Sequence, residues 1–119
     1  EHFRPCGDIT SCGPAFMAYM VGSLAEAAKE HGIDGKLAIE MSRETMLGTA
    51  LLLEERQMTF GELVHEVATP GGCTEEGIKV LKSKLPALIG EVFKVTAAKE
   101  KVITAKIRKD FFTWLLQGF

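Results

Sequence analysis

Two short segments hold most of the residues whose types and spacing suit them to chemistry. In Ala68-Thr69-Pro70-Gly71-Gly72-Cys73-Thr74 a breaker loop runs straight into a helix start. Thr74 is placed to cap the run at residues 75–84, and Gly71 and Gly72 leave the approach to that helix free of side chains. A helix N-terminus presents backbone N–H groups that have no intrahelical acceptor, and it therefore suits a carboxylate or a phosphate. Taken alone, Pro70-Gly71-Gly72 is first of all an interhelical turn, because Pro and Gly punctuate most loops. Thr74 narrows that difference, since its hydroxyl can cap the helix or meet a ligand heteroatom. Glu75 and Glu76 suit the helix dipole but oppose a bound anion unless they point to solvent.

Thr10-Ser11-Cys12-Gly13-Pro14 is a second polar breaker leading into a helix, and so a second lining for a site. Its simplest reading is an ordinary N-cap at Ser11 or Cys12 with a Pro at the first helical position. Cys12 acts as a nucleophile only beside a base, and the sequence identifies none, so a packing role is expected for it and for Cys73. His2, His31 and His65 lack metal-ligand spacing and are assigned structural roles; no metal is expected. Cys6, Cys12 and Cys73 are odd in number and contain no Cys-x-x-Cys, which argues against a disulfide framework or a zinc site and fits a reducing cytoplasm.

Five helices are expected to position these segments. The first spans residues 14–31, with Met17, Met20, Val21, Leu24, Ala27 and Ala28 as a core-facing stripe, and Gly32 stops it. Asp34 caps a second helix at about 35–57, whose apolar residues wrap most of its circumference and predict burial on several sides. Thr59 and Glu62 have capping-box spacing and open a third helix over about 60–68. The fourth, residues 75–84, gives way at Leu85 and Pro86 to a long last helix, with a possible break at 97–101. No period-2 strand pattern occurs. Methionines 17, 20, 41, 46 and 58 are read as core filler before adaptable interface.

With 119 residues, 46 % hydrophobic side chains and 25 % charged, the chain suits one all-α domain. Its formal net charge of −2 gives no global reason to expect nucleic acid. The lysines and arginines of the late helix therefore read as a solvated face. No apolar run approaches the roughly 18 residues needed to cross a bilayer, so no membrane is expected. So much apolar helix in so short a chain predicts a homodimer or a higher oligomer built from it. An opening at Glu1, with charged and breaker residues before the first helix, reads as part of a longer protein.

Taken together, Ser11-Cys12-Gly13-Pro14-Ala15-Phe16 and the 68–74 loop followed by Gly77-Ile78 and Leu81-Lys82 resemble the C-terminal domain of pyrroline-5-carboxylate reductases, over about residues 8–99. The resemblance implies an interlocked, all-helical dimer. It also implies a preceding Rossmann domain that binds NAD(P)H and passes hydride to the imine carbon of pyrroline-5-carboxylate, giving proline. No Gly-x-Gly-x-x-Gly after a strand occurs in these 119 residues. Residues 1–12 are accordingly read as a linker, residues 13–119 as the dimerisation and substrate-side domain, and the fragment alone as inactive.

By the same resemblance, Thr69, Gly71, Gly72, Cys73 and Thr74 hold an imino acid substrate. The amides of Gly72, Cys73 and Thr74 take its carboxylate, and the Thr74 hydroxyl takes the ring nitrogen as the catalytic contact. Thr10, Ser11, Cys12, Gly13 and Pro14 approach the nicotinamide. Typical reductases have a serine where this chain has Cys12. The Ser-Cys-Gly-Pro-Ala-Phe form is similar to a branch of late-competence proteins, which leaves a non-catalytic oligomerisation or regulatory module as the alternative. Residues 103–119 extend past the usual end of the domain, and their cluster Phe111, Phe112 and Trp114 either packs on the dimer or meets another partner.

Overall fold

Pro14 has no N–H to give the carbonyl of Thr10, and its ring crowds that carbonyl. A wider turn relieves both problems, and the chain makes one: a π-helical turn, Asp8–Cys12, runs without interruption into α1, Gly13–Glu30. The expected N-cap is therefore replaced. Cys12 has helical φ and ψ and makes no side-chain cap bond. The computed structural model describes residues 7–117; residues 1–6, with His2, Cys6 and the first half of the expected linker, lie outside the described residues.

Gly32 ends α1 at φ 92°, where its N–H reaches Lys29 O at 2.9 Å and the Ile33 N–H reaches Ala28 O at 3.2 Å. This 5→2 and 6→1 pair is a Schellman cap, and glycine is the residue that takes its left-handed position without strain. Asp34 then caps α2, Gly35–Arg56, by accepting from the N–H groups of Lys36 and Leu37, both at 3.1 Å. α3, Phe60–Val67, opens with the expected capping box. The Thr59 N–H donates to Glu62 Oε2 at 2.7 Å, and the Glu62 N–H donates to Thr59 Oγ1 at 3.2 Å.

The fourth and fifth expected helices are one. α4 runs from Cys73 to Gln117 with Pro86 inside it. The proline removes one hydrogen bond, but Ile78, Leu81, Leu85, Ile89 and Val92 keep the same helical phase across it, so both halves present one apolar face. The polar stretch 97–101 is Ala-Ala-Lys-Glu-Lys after position 96, all strong helix formers, and it propagates the helix too. Among the described residues there are four α-helices and no strand, so the fold is all-α.

The chain divides into two compact units, Glu1–Glu76 and Gly77–Phe119, the second being the body of α4. Within the first, α1 and α2 pack as a hairpin. Its buried residues are small: Ala25, Ala38 and Ser42. Small side chains on both helices let the axes approach closely, but they bury little area. The large apolar residues are largely left in the open. Met17, Leu24, Met41, Leu47 and Leu51 are all exposed, and Phe60 is 80 % exposed.

The expected core stripe of α1 is therefore mostly exposed, with only Val21 and Ala28 half-buried, and α2 is not buried on several sides within one chain. Methionines 17, 20, 41 and 46 are exposed, with Met58 half-buried. One copy has too few facing surfaces to cover helices that are apolar around most of their circumference.

Candidate functional site

Thr69, Pro70, Gly71 and Gly72 form the turn between α3 and α4. The Gly72 N–H donates to Thr69 O at 2.9 Å and Gly71 sits at φ 74°. Proline at the second position and a left-handed glycine at the third are the marks of a type II turn. Gly72 is fixed by space. A Cβ there would lie 2.7 Å from Thr69 Oγ1 and 3.0 Å from Thr69 O. The loop therefore needs both glycines, for different reasons: Gly71 for its dihedral and Gly72 for the close approach of Thr69.

α4 starts two residues earlier than its sequence suggests. The helix opens at Cys73, and the Gly72 carbonyl accepts from Glu76 N at 3.4 Å, so Gly72 holds the cap position and Thr74 lies within the first turn. The reason is Glu75, whose Oε2 reaches back to accept the Gly71 N–H at 2.8 Å. The carboxylate at the third helical position thus ties down the residue before the cap, one position beyond a capping box, and a glycine cap does not need Thr74. Thr74 is exposed, and its hydroxyl is not spent on capping.

These bonds sort the loop's donors. The N–H groups of Gly71 and Gly72 are engaged by Glu75 and Thr69. Those of Cys73 and Thr74 occupy the first two helical positions, where helix geometry supplies no acceptor. Two adjacent amides, the positive end of the helix dipole and an exposed hydroxyl thus share one turn, which suits a small carboxylate bearing a second polar atom. In the sequence Glu75 reads only as a charge favourable to the helix dipole; its bond reaches four residues back to Gly71, one more than capping-box spacing, so the pattern does not announce it.

Cys73 is exposed rather than packed, because the first residue after the turn faces outward. In the other segment, Thr10 and Ser11 are exposed and Cys12 and Gly13 half-buried. Thr10, Ser11 and Cys12 belong to the π-helical turn, which is continuous with α1, and Gly13 and Pro14 open α1 itself. The two segments thus sit on different elements: the loop is closed by its own bonds, and the first segment is helical backbone. No group of three His, Cys, Asp or Glu side chains among the described residues is arranged to hold a metal. No helix among them is long and apolar enough to cross a membrane.

Residues 1–103 match the family described as pyrroline-5-carboxylate reductase dimerisation. ComE operon protein 4 of Bacillus subtilis (strain 168) is 37 % identical over 109 residues, 91 % of this chain and 40 % of that protein. Pyrroline-5-carboxylate reductase 3 of the same organism is 32 % identical over 104 residues, 87 % of this chain and 38 % of its own length. Pyrroline-5-carboxylate reductase of Aquifex aeolicus (strain VF5) is 38 % identical over 76 residues, 64 % of this chain and 29 % of its own length. The chain thus spans about two-fifths or less of the curated relatives it matches. With most of its length covered by that family, the chain belongs to the pyrroline-5-carboxylate reductase dimerisation family.

Proposed function

We propose that this chain is the C-terminal, dimer-forming and substrate-side part of an NAD(P)H-dependent reductase that converts 1-pyrroline-5-carboxylate to proline. Residues 1–12 serve as the linker from a nucleotide-binding domain and residues 13–119 as the helical domain. The observation that carries this reading is the start of α4, with the free-ended amides of Cys73 and Thr74 beside an exposed hydroxyl in a chain of this family.

The Cys73 and Thr74 amides hold the substrate carboxylate, and the Thr74 hydroxyl hydrogen-bonds the ring nitrogen, fixing the face of the imine. Gly71 and Gly72 shape the turn, and Thr69 braces it from within. The described residues are helix and turn, so the strand, glycine-rich turn and helix that cradle a dinucleotide pyrophosphate are not among them. These residues do not fit the dinucleotide by themselves. Their part is the imino acid, with the 10–14 segment as the wall nearest the nicotinamide.

A homodimer is supported by the family and by the large apolar side chains that α1 and α2 leave exposed, among them Met17, Leu24, Met41, Leu47 and Leu51, which is the composition of an obligate interface.

The deciding experiment follows NADPH oxidation by the full-length protein with 1-pyrroline-5-carboxylate, wild type against Thr74→Ala. The variant is expected to lose at least about tenfold in kcat/KM, the scale of one lost hydrogen bond at a reacting group. A well-folded full-length protein with no turnover sinks the reductase reading. It would leave the second reading, a non-catalytic oligomerisation or regulatory module. One observation favours that second reading: ComE operon protein 4, one of the relatives, is named for an operon and not for a reaction.

A further inference from the structure

The family match ends at residue 103, but α4 does not; it continues to Gln117. The continuation has a definite face. At 3.6 residues per turn, Leu85, Ile89, Val92, Phe93 and Thr96 share one side of α4, and all five are half-buried. Ile103, Ile107, Phe111 and Trp114 prolong that same side, at 47, 63, 55 and 65 % exposure. Phe111 holds the rings of Phe112 and Trp114 with centroids at 6.2 Å, so the end of the stripe is a contiguous aromatic patch. Among the described residues these side chains stay exposed. An apolar stripe rimmed by charge marks an interaction site.

Charge indicates what covers it. Residues 92–117 carry six basic side chains, Lys94, Lys99, Lys101, Lys106, Arg108 and Lys109, against two acidic ones, Glu100 and Asp110. Residues 1–91 carry eight basic against fourteen acidic. Two such tails repel one another, whereas a tail and the preceding helices attract. Those preceding helices also leave large apolar side chains in the open, among them Met41, Leu47 and Leu51 of α2. A dimer presents each tail with that acidic, apolar surface at high effective concentration, without a third molecule.

We propose that the stripe Ile103, Ile107, Phe111 and Trp114 docks on the acidic helical body of a second copy of this chain, extending the dimer beyond the family domain. The inference rests on the dimer reading given above. Tail and body meet across the two-fold, so each tail is covered once and the association closes.

Trp114 is the sole tryptophan of the chain and reports directly on this contact. Its emission and the sedimentation mass are followed together through a dilution series of the full 119-residue chain. The expected result is a shift to shorter wavelength that tracks the doubling of mass. Charge reversal by Lys106→Glu, Arg108→Glu and Lys109→Glu is expected to return the emission to that of a solvated indole while the rest of the interface keeps the dimer. A dimer whose Trp114 emission stays solvated overturns the docking and leaves the dimer standing. A mass near 13.0 kDa at every micromolar concentration overturns both. Emission that stays blue-shifted in the charge-reversed variant overturns the charge pairing. A shift that appears only on adding vesicles of anionic phospholipid assigns the stripe to a lipid surface and overturns the proposal.

Discussion

The 69–74 loop and the last turns of α4 are both largely exposed, but they are defined by opposite means. The loop is made of backbone. Its shape follows from one left-handed glycine, one glycine that cannot accept a Cβ, and hydrogen bonds whose partners lie no more than four residues apart. The tail is regular helix whose backbone specifies nothing beyond its own continuation, and its information lies in a stripe of exposed apolar side chains. A backbone-built feature is complete in a single chain. A side-chain stripe is complete only when something packs on it, so perturbations of the two kinds of region should differ in their dependence on protein concentration.

The largest effect is expected in the α1–α2 contact, a packed region that is already closed within one chain. Ala38 is 1 % exposed, and Ala38→Leu forces extra volume into a space held open by small residues. A loss of about 1–3 kcal/mol is expected. Denaturant unfolding checks it, and the loss should be the same for the monomeric and the associated protein. A loss that grows with concentration would mean that Ala38 lies at a surface shared by two copies.

Gly72→Ala ranks next, at about 1–2 kcal/mol, because the new Cβ meets Thr69 at 2.7 and 3.0 Å. The nearer atom is a side-chain hydroxyl and the farther a backbone carbonyl. Adding Thr69→Ala removes only the first conflict. A double-mutant cycle in thermal unfolding should therefore recover part of the loss, and full recovery would show that the carbonyl yields freely. In the reductase assay, any activity lost beyond the change in stability measures how far the Cys73 and Thr74 amides have moved.

The same division explains what was legible in the sequence. Asp34, Gly32 and the Thr59 and Glu62 pair act within a turn of helix, and each does what its spacing predicts. Pro86 was misleading because a single lost hydrogen bond is a local signal, whereas the shared phase of Leu81, Leu85 and Ile89 spans the proline. At the loop, the glycines and the helix start were readable. The cap was not, because Gly72 and Glu75 together displaced the more familiar Thr74. The core was least readable of all. Periodicity reports that a face is apolar, not whether the same chain supplies the surface opposite, so the stripes on α1 and α2 were read as core and are mostly exposed.

The smallest effect is at the start of α3, and its sign is fixed. The backbone N–H of Thr59, and after it the Thr59 hydroxyl, hold the Glu62 carboxyl below its ordinary value of 4.5. Both contacts favour the charged form in the folded chain, so folding and deprotonation reinforce each other. The contribution is fully present above the unfolded pKa and disappears as pH falls through the lower folded one. Glu62→Gln keeps a side chain able to complete a capping box, so only the charge-dependent part is removed. The difference in Tm between wild type and Glu62→Gln should be constant near neutral pH and shrink below about pH 4.5, as the carboxylate takes up its proton. Because Glu62 is exposed, added salt should shrink it as well. It should not change with protein concentration, since every partner lies within four residues. A concentration-dependent difference would place the α3 start beside the tail of a second copy and end the separation between locally closed and shared regions.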